Sequence, residues 1–321
     1  MNAKQNKEKK LMEQFKIQKE NISRGIKILY VGVGGVGCEA IAHIAQKVTN
    51  KGNLLAIDTD ADSLNRIDEV NNILINFDFL QEPDRENYNE IKNVLNYADI
   101  VLILAGYGGE TGSVASSVIA RIAKEVGALT IPIIVKPFKF EHKQRLDLAD
   151  KYLRKIKDVS DSVIVIQNEK HLSSIGNNPL LQDVLKDMYY VMEEVVNTIT
   201  QTIISHGDND ICLDFADLQT VMSYQGIALF GSGKSENSVS EAIEKAIEYA
   251  LLDNVSLCDA SGVLINFYVS NLFSIEEICD TMNIIYDNVS CNTEVIWTVT
   301  TNVLLTKGQI KTTVILTGFE K

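Results

Sequence analysis

The chain has 321 residues, 45% of them hydrophobic, and a formal net charge of −13. That length accommodates two domains with substantial cores, and the negative balance argues against nonspecific nucleic-acid binding, which draws its affinity from neutralised phosphates. No apolar run approaches the roughly 20 residues of a membrane span, and the lysine-rich start has no signal-peptide core, so a cytoplasmic protein without direct membrane insertion is expected. The five cysteines (Cys38, Cys212, Cys258, Cys279, Cys291) are odd in number and contain no CxxC pair, so neither a disulfide framework nor a zinc site is expected.

Residues 1–20 are charged, with Leu11, Phe15 and Ile17 as the only apolar anchors, and read as an N-terminal arm. Residues 26–33 predict a first strand that runs into GVGGVG (Gly32, Gly34, Gly35, Gly37), with a helix beginning near 38–41. A second strand, 54–57, ends in Asp58-Thr59-Asp60. A glycine loop between strand and helix, then an acid after the next strand, fits a Rossmann dinucleotide fingerprint. The same opening also resembles ThiF-like adenylyltransferases. Residues 62–98 are polar and acidic, with a helix predicted at 87–96.

The most informative stretch is ADIVLILAGYGGETGSVASSVIARIAK, residues 98–124. Ile100 to Ala105 has the length and branching of a strand buried on both faces. Gly106, Gly108, Gly109 and Gly112 follow, with Thr111 and Ser113 among them, and then Val114, Val118, Ile119 and Ile122 at helical spacing. In a strand–glycine loop–helix unit, bare N–H groups and a helix N-terminus can face an anion; the plainer alternative is a connecting turn. A Rossmann domain uses one such loop for its pyrophosphate, and this chain has two.

Residues 129–135 predict another buried strand, and Glu141 and Arg145 sit one turn apart at the start of a helix running to about 156. On spacing alone they form a surface ion pair. A strand at 163–166 ends at Asn168, and 180–204 reads as one long helix, apolar on a wide stripe and suited to bridging two domains, that stops at His206-Gly207. Asp214 and Asp217 follow, with helix capping as their simplest role. Strands at 226–230, 262–268, 293–299 and 311–317, interleaved with helices at 238–252 and 274–286, complete a second α/β layer.

From Gly25 to Lys321 the chain resembles the tubulin/FtsZ family of filament-forming GTPases, on its FtsZ side. The resemblance is carried by GVGGVG (32–37), ADIVLILAGYGGETGS (98–113), ALTIPIIVKPFKFE (128–141) with Arg145, VIQN (165–168), LDFADLQTVM (213–222), QGIALFGSGKS (225–235) and TTVILTGF (312–319). It implies an α/β fold with a Rossmann-like parallel-sheet GTPase domain (21–180), a long central helix (181–206) and a second α/β domain with a mixed sheet (207–321). It implies GTP or GDP with Mg2+. Gly32, Gly34, Gly35 and Gly37 would form one phosphate loop, and Gly106, Gly108, Gly109, Glu110, Thr111, Gly112 and Ser113 the other. Glu141 and Arg145 would hold the ribose. Asp214 and Asp217 would be the catalytic acids that one subunit inserts into the next, in a head-to-tail homopolymer open to division or filament-regulating partners.

The chain also departs from the family pattern. Glu110 and Val114 replace glycines, Cys212 replaces an asparagine, and NNILINFDFLQEPDRE (71–86) stands where a glycine-rich loop approaches the γ-phosphate. Glu39 replaces the asparagine that reads the base, and the aspartate expected on the central helix falls near Met188, beside Asp187. Glu39 and Asp187 are therefore the candidates for the guanine edge. The sequence stops after the TGF strand, so recruitment through the family's C-terminal tail for membrane tethers is not expected. Three activities remain open at this point: a slow GTPase, an assembling or regulatory relative without turnover, and a Rossmann-type enzyme using NAD or forming an adenylate.

Overall fold

Continuous apolar runs fix the first sheet. In β1 (Ile28–Val33), β4 (Ile100–Gly106), β5 (Leu129–Val135) and β6 (Val163–Ile166) every residue is buried except Gly106 at the end of β4. Strands covered on both faces have no polar side to alternate with, and each fully buried Ile, Leu or Val side chain stabilises by about 1.5–3 kcal/mol. The computed structural model describes residues 25–47, 51–67, 70–76, 78–79, 85–166, 180–203, 210–251, 255–270, 275–301, 305 and 309–319. The N-terminal arm, Asn168 and the His206-Gly207 helix stop lie outside these residues.

The chain divides into two compact units, Met1–Glu193 and Glu194–Lys321. In the first, six parallel strands run in the order β3-β2-β1-β4-β5-β6, with β2 at Leu54–Asp58 and β3 at Asn71–Leu74. Its helices are α1 (Gly34–Ala45), the short α2 (Ala61–Asn65), α3 (Arg85–Leu95), α4 (Ser116–Glu125) and α5 (Lys143–Lys157). The long α6 (Leu181–Ile203) contains the boundary between the units. Pairing of Gly32 with Leu104 and of Val33 with Ala105 ends β1 and β4 level with one another. The loops that follow these two strands therefore emerge side by side, at the carboxyl edge where open parallel sheets bind ligands.

The second unit holds β7 (Ile227–Ser235), β8 (Gly262–Val269), β9 (Glu294–Thr301) and β10 (Ile310–Phe319) in the order β7-β10-β8-β9. Strand β10 is antiparallel to β7 and β8, and β8 is parallel to β9, so the sheet is mixed. Helices α7 (Phe215–Met222), α8 (Val239–Ala250) and α9 (Ile275–Asn288) complete the unit. Leu229, Val263, Ile265, Phe267, Val314 and Leu316 pack with Ala242, Ile243, Ile278 and Met282 from α8 and α9 as its core.

Three elements differ from the sequence-based expectation. Helix α1 opens at Gly34 rather than near Cys38, because Val33 stays extended (φ −124°) and the helix starts at once. Strand β3 lies in the stretch read as polar; it is an edge strand with only Ile73 buried, so it carries no alternating pattern. Strand β7 continues through GSGKS to Ser235, held by pairing with β10, although that segment has low intrinsic strand preference.

Candidate functional site

The two glycine loops interlock. Gly34 has φ +69°, and a Cβ there would lie 2.8 Å from the Gly112 backbone nitrogen, so neither a side chain nor a different backbone path fits. By contrast, a Cβ on Gly35 or Gly109 would meet nothing within 4 Å, and both residues are exposed. The loops are thus closed against each other on one side and open on the other. Val33 caps α1 with no side-chain hydrogen bond, and the first turn carries no acid. Glu110 likewise offers no side-chain cap to the π turn Thr111–Ala115 that leads into α4. Orphan N–H groups at a helix start need an acceptor, and an anion is the partner best matched to them.

Inside the second loop, Ser113 is buried; its hydroxyl accepts from the Gly108 N–H at 3.0 Å and its N–H donates to Gly109 O at 3.1 Å. The Ser113 hydroxyl is therefore a brace of the loop. Burial pushes the Tyr107 phenol up, and that hydroxyl meets the Ser116 hydroxyl at 3.2 Å. Glu110 is exposed at the loop's outer edge. Glu141 precedes α5 rather than lying on it. Its carboxylate accepts from Arg145 Nε at 2.7 Å and from the Phe138 N–H at 2.8 Å. Arg145 lies against Gly108, whose added Cβ would be 3.2 Å from Arg145 Cβ, with φ at +98°. The Glu141–Arg145 pair, a surface ion pair on spacing alone and a ribose holder on the family resemblance, thus lies against the second glycine loop.

The first loop's helix leads to the other candidates. Glu39 is exposed on α1, and Tyr189 on α6 has its phenol pushed up, first by burial and then by the Glu39 charge. Asp187, partly exposed, lies two residues earlier on α6. One turn beyond Glu39 on α1, His43 Nε2 lies 3.0 Å from the buried Glu193 carboxylate, and Lys47 Nζ donates to the same oxygen at 2.7 Å. In the second unit, Asp214 caps α7 by accepting from the Asp217 N–H at 2.9 Å. The Asp217 carboxylate is exposed and makes no hydrogen bond or ion pair among the described residues. No cluster of three metal-ligating side chains occurs among them either.

Asp58 and Thr59, at the end of β2, lie beside the second glycine loop through the Thr59–Thr111 contact; the sequence reading quoted them only within the triplet of a Rossmann-type opening and gave neither a role in the candidate site. Asp58 is 4% exposed, and its Oδ1 accepts from the N–H groups of Thr59 at 2.7 Å and Asp60 at 3.4 Å. Asp60 caps α2, accepting from the Asp62 N–H and the Ser63 hydroxyl. Both acids that a Rossmann reading would offer to a ribose are thus engaged in their own turn. The signal in sequence was the position itself, a polar triplet at a strand's carboxyl end beside a glycine loop.

Burial is the larger influence on Asp58 and holds its carboxyl above the ordinary range, while the Thr59 and Asp60 N–H groups pull it down. A folded-state pKa raised above the unfolded one means stability that is present in acid and lost as pH rises through the folded value. Asp58→Asn keeps an acceptor oxygen and removes the charge. Thermal melts are expected to show a higher Tm for this variant near neutral pH, with the gain vanishing below about pH 4, where the carboxyl is protonated in both states. A variant less stable than the parent at neutral pH would contradict this placement of the charge.

Both parts of the chain are similar to known proteins. Residues 27–176 match the GTPase domain of the tubulin/FtsZ family, and residues 225–320 match the C-terminal domain of the FtsZ family. The chain is 34% identical over 318 residues to the cell division protein FtsZ of Rickettsia conorii, covering 94% of this chain and 69% of that protein. It is 34% identical over 280 residues to the Pseudomonas aeruginosa FtsZ, covering 83% and 71%. An FtsZ dimer from M. jannaschii, solved empty, superposes with a TM-score of 0.82 at 30% identity, covering 95% of this chain and 92% of that one.

Proposed function

The chain belongs to the tubulin/FtsZ family of GTPases as an FtsZ-type cell division protein, and on that premise we propose that it binds GTP on its paired glycine loops, assembles head to tail, and hydrolyses GTP between subunits. The observation that carries the proposal is the interlocked pair of uncapped helix starts, closed by Gly34 against Gly112 and open at Gly35 and Gly109. Residues 21–180 would be the nucleotide domain, 181–206 the central helix and 207–321 the C-terminal domain. The N–H groups of both loops would hold the phosphates and Arg145 with Glu141 the ribose. Glu39, with Asp187, would accept from the guanine N1 and N2 hydrogens.

Asp214 and Asp217 of the adjoining copy would orient and polarise the attacking water, which makes turnover depend on assembly. A magnesium ion would neutralise charge on the transferring phosphate. Magnesium at such sites is commonly held through substrate phosphates and water, with one or two carboxylates. Self-association is in keeping with the M. jannaschii relative, solved as a dimer. One observation favours a second reading, an assembling or regulatory protein with little turnover: the Glu110 carboxylate stands exposed at the edge of the phosphate loop, where it would repel phosphate charge.

Equilibrium binding of GTP with ATP and NAD as competitors tests the nucleotide assignment. GTP is expected to bind, with neither competitor displacing it at equal concentration; displacement by NAD would overturn the reading. Glu39→Ala is expected to weaken GTP about ten- to a hundredfold, the worth of a charged hydrogen-bonded pair. It should also narrow the preference over ATP. Unchanged affinity would remove Glu39 from base recognition.

A further inference from the structure

Asp58 and Thr59 do more than end a strand. Thr59 Oγ1 lies 2.8 Å from Thr111 Oγ1, a side-chain contact between the end of β2 and the second glycine loop, 52 residues on. Thr59 is itself fixed from below, because its N–H donates to the buried Asp58 carboxylate at 2.7 Å. Its hydroxyl lies 3.5 Å from the same Asp58 oxygen, at the limit of a hydrogen bond, against 2.8 Å to Thr111. Either hydroxyl can donate in the contact between the two threonines; with the single Thr59 proton directed along this shorter contact rather than to Asp58, Thr111 accepts and keeps its own proton for another partner. Thr111 opens the π turn, one residue before Gly112, which lies against Gly34.

We propose that Thr59 is a positioning residue for the phosphate site: held by the Asp58 turn, its hydroxyl orients Thr111 so that the Thr111 proton points at a nucleotide phosphate oxygen. The inference rests on the nucleotide reading of the glycine loops and adds to it a residue that belongs to neither loop. Loss of the Thr59 hydroxyl would leave Thr111 free to rotate and to turn its lone pairs toward the phosphates.

The test is equilibrium binding of GTP and of GDP to the full chain, with Tm as a check on folding, for the parent, Thr59→Val, Thr59→Ser, Thr111→Val and the double valine variant. Thr59→Val preserves volume and removes the hydroxyl. It is expected to weaken both nucleotides about tenfold, the equivalent of one hydrogen bond. Thr59→Ser is expected to bind within about twofold of the parent, because it restores the hydroxyl. The double variant should bind no more weakly than Thr111→Val alone, because Thr59 acts only through Thr111. Equal affinity of Thr59→Val and parent would overturn the inference, as would a serine variant as weak as the valine one, which would reveal a packing role for the methyl group. Additive losses in the double variant would overturn it too. A parent chain with no affinity for either nucleotide would instead bring down the nucleotide reading itself, and the inference with it.

Discussion

Asp217→Ala is expected to lower GTP turnover by about a hundred- to ten-thousandfold, the usual loss when a positioned acid–base group is removed, while GTP affinity of the isolated subunit stays unchanged. The two aspartates at the start of α7 are not equivalent. Asp214 holds the start of α7 by accepting from the Asp217 N–H; replacing it would cost the cap about 1 kcal/mol and mix stability with chemistry. Asp217 caps nothing with its carboxylate, which is exposed and unengaged among the described residues. A carboxylate kept out of internal contacts is available to a water held by another molecule. Steady-state phosphate release, measured beside nucleotide binding, separates the outcomes. Loss of turnover with binding intact supports the role given to Asp217, whereas turnover that survives the substitution removes it from the reaction.

The second large effect is a contrast between adjacent glycines. Gly34→Ala is expected to lower both Tm and nucleotide affinity, the latter at least about a hundredfold. The φ of +69° costs an L-residue roughly 1–2 kcal/mol, and the new Cβ would sit 2.8 Å from the Gly112 nitrogen, a backbone atom that cannot rotate away. Gly35→Ala places its Cβ where nothing lies within 4 Å. It is expected to leave Tm unchanged and still weaken the nucleotide, because in the proposed complex the phosphates would occupy that open space. Thermal melts and GTP binding on the two variants distinguish these effects. Unaltered binding by the Gly35 variant would mean that the ligand lies elsewhere.

The parallel sheet was legible because buried strands such as IVLILAG and LTIPIIV are written as unbroken apolar runs. The two glycine loops were legible because glycine and hydroxyl residues gather at strand ends. Strand β3 was not, since NNIL buries one side chain and takes its place only by pairing with β2. The Glu141–Arg145 pair was found by spacing, but its attachment to Gly108 depends on how α5 is laid against the loop. Asp58 and Thr59 were quoted and passed over: the Thr59–Thr111 contact spans 52 residues, and no local pattern encodes it. What sequence did supply for Asp214, a capping role as the simplest alternative, is what the structure shows; the catalytic role rests on assembly and is part of the proposal.

The most direct test of the account is GTP turnover per subunit against protein concentration in magnesium, with sedimentation of the same samples. If each site is completed by the Asp217 of the next copy, the rate is near zero at low concentration and climbs above a threshold at which pelleting also begins. A rate per subunit that is constant across concentration, or phosphate release from chains that never pellet, would contradict it.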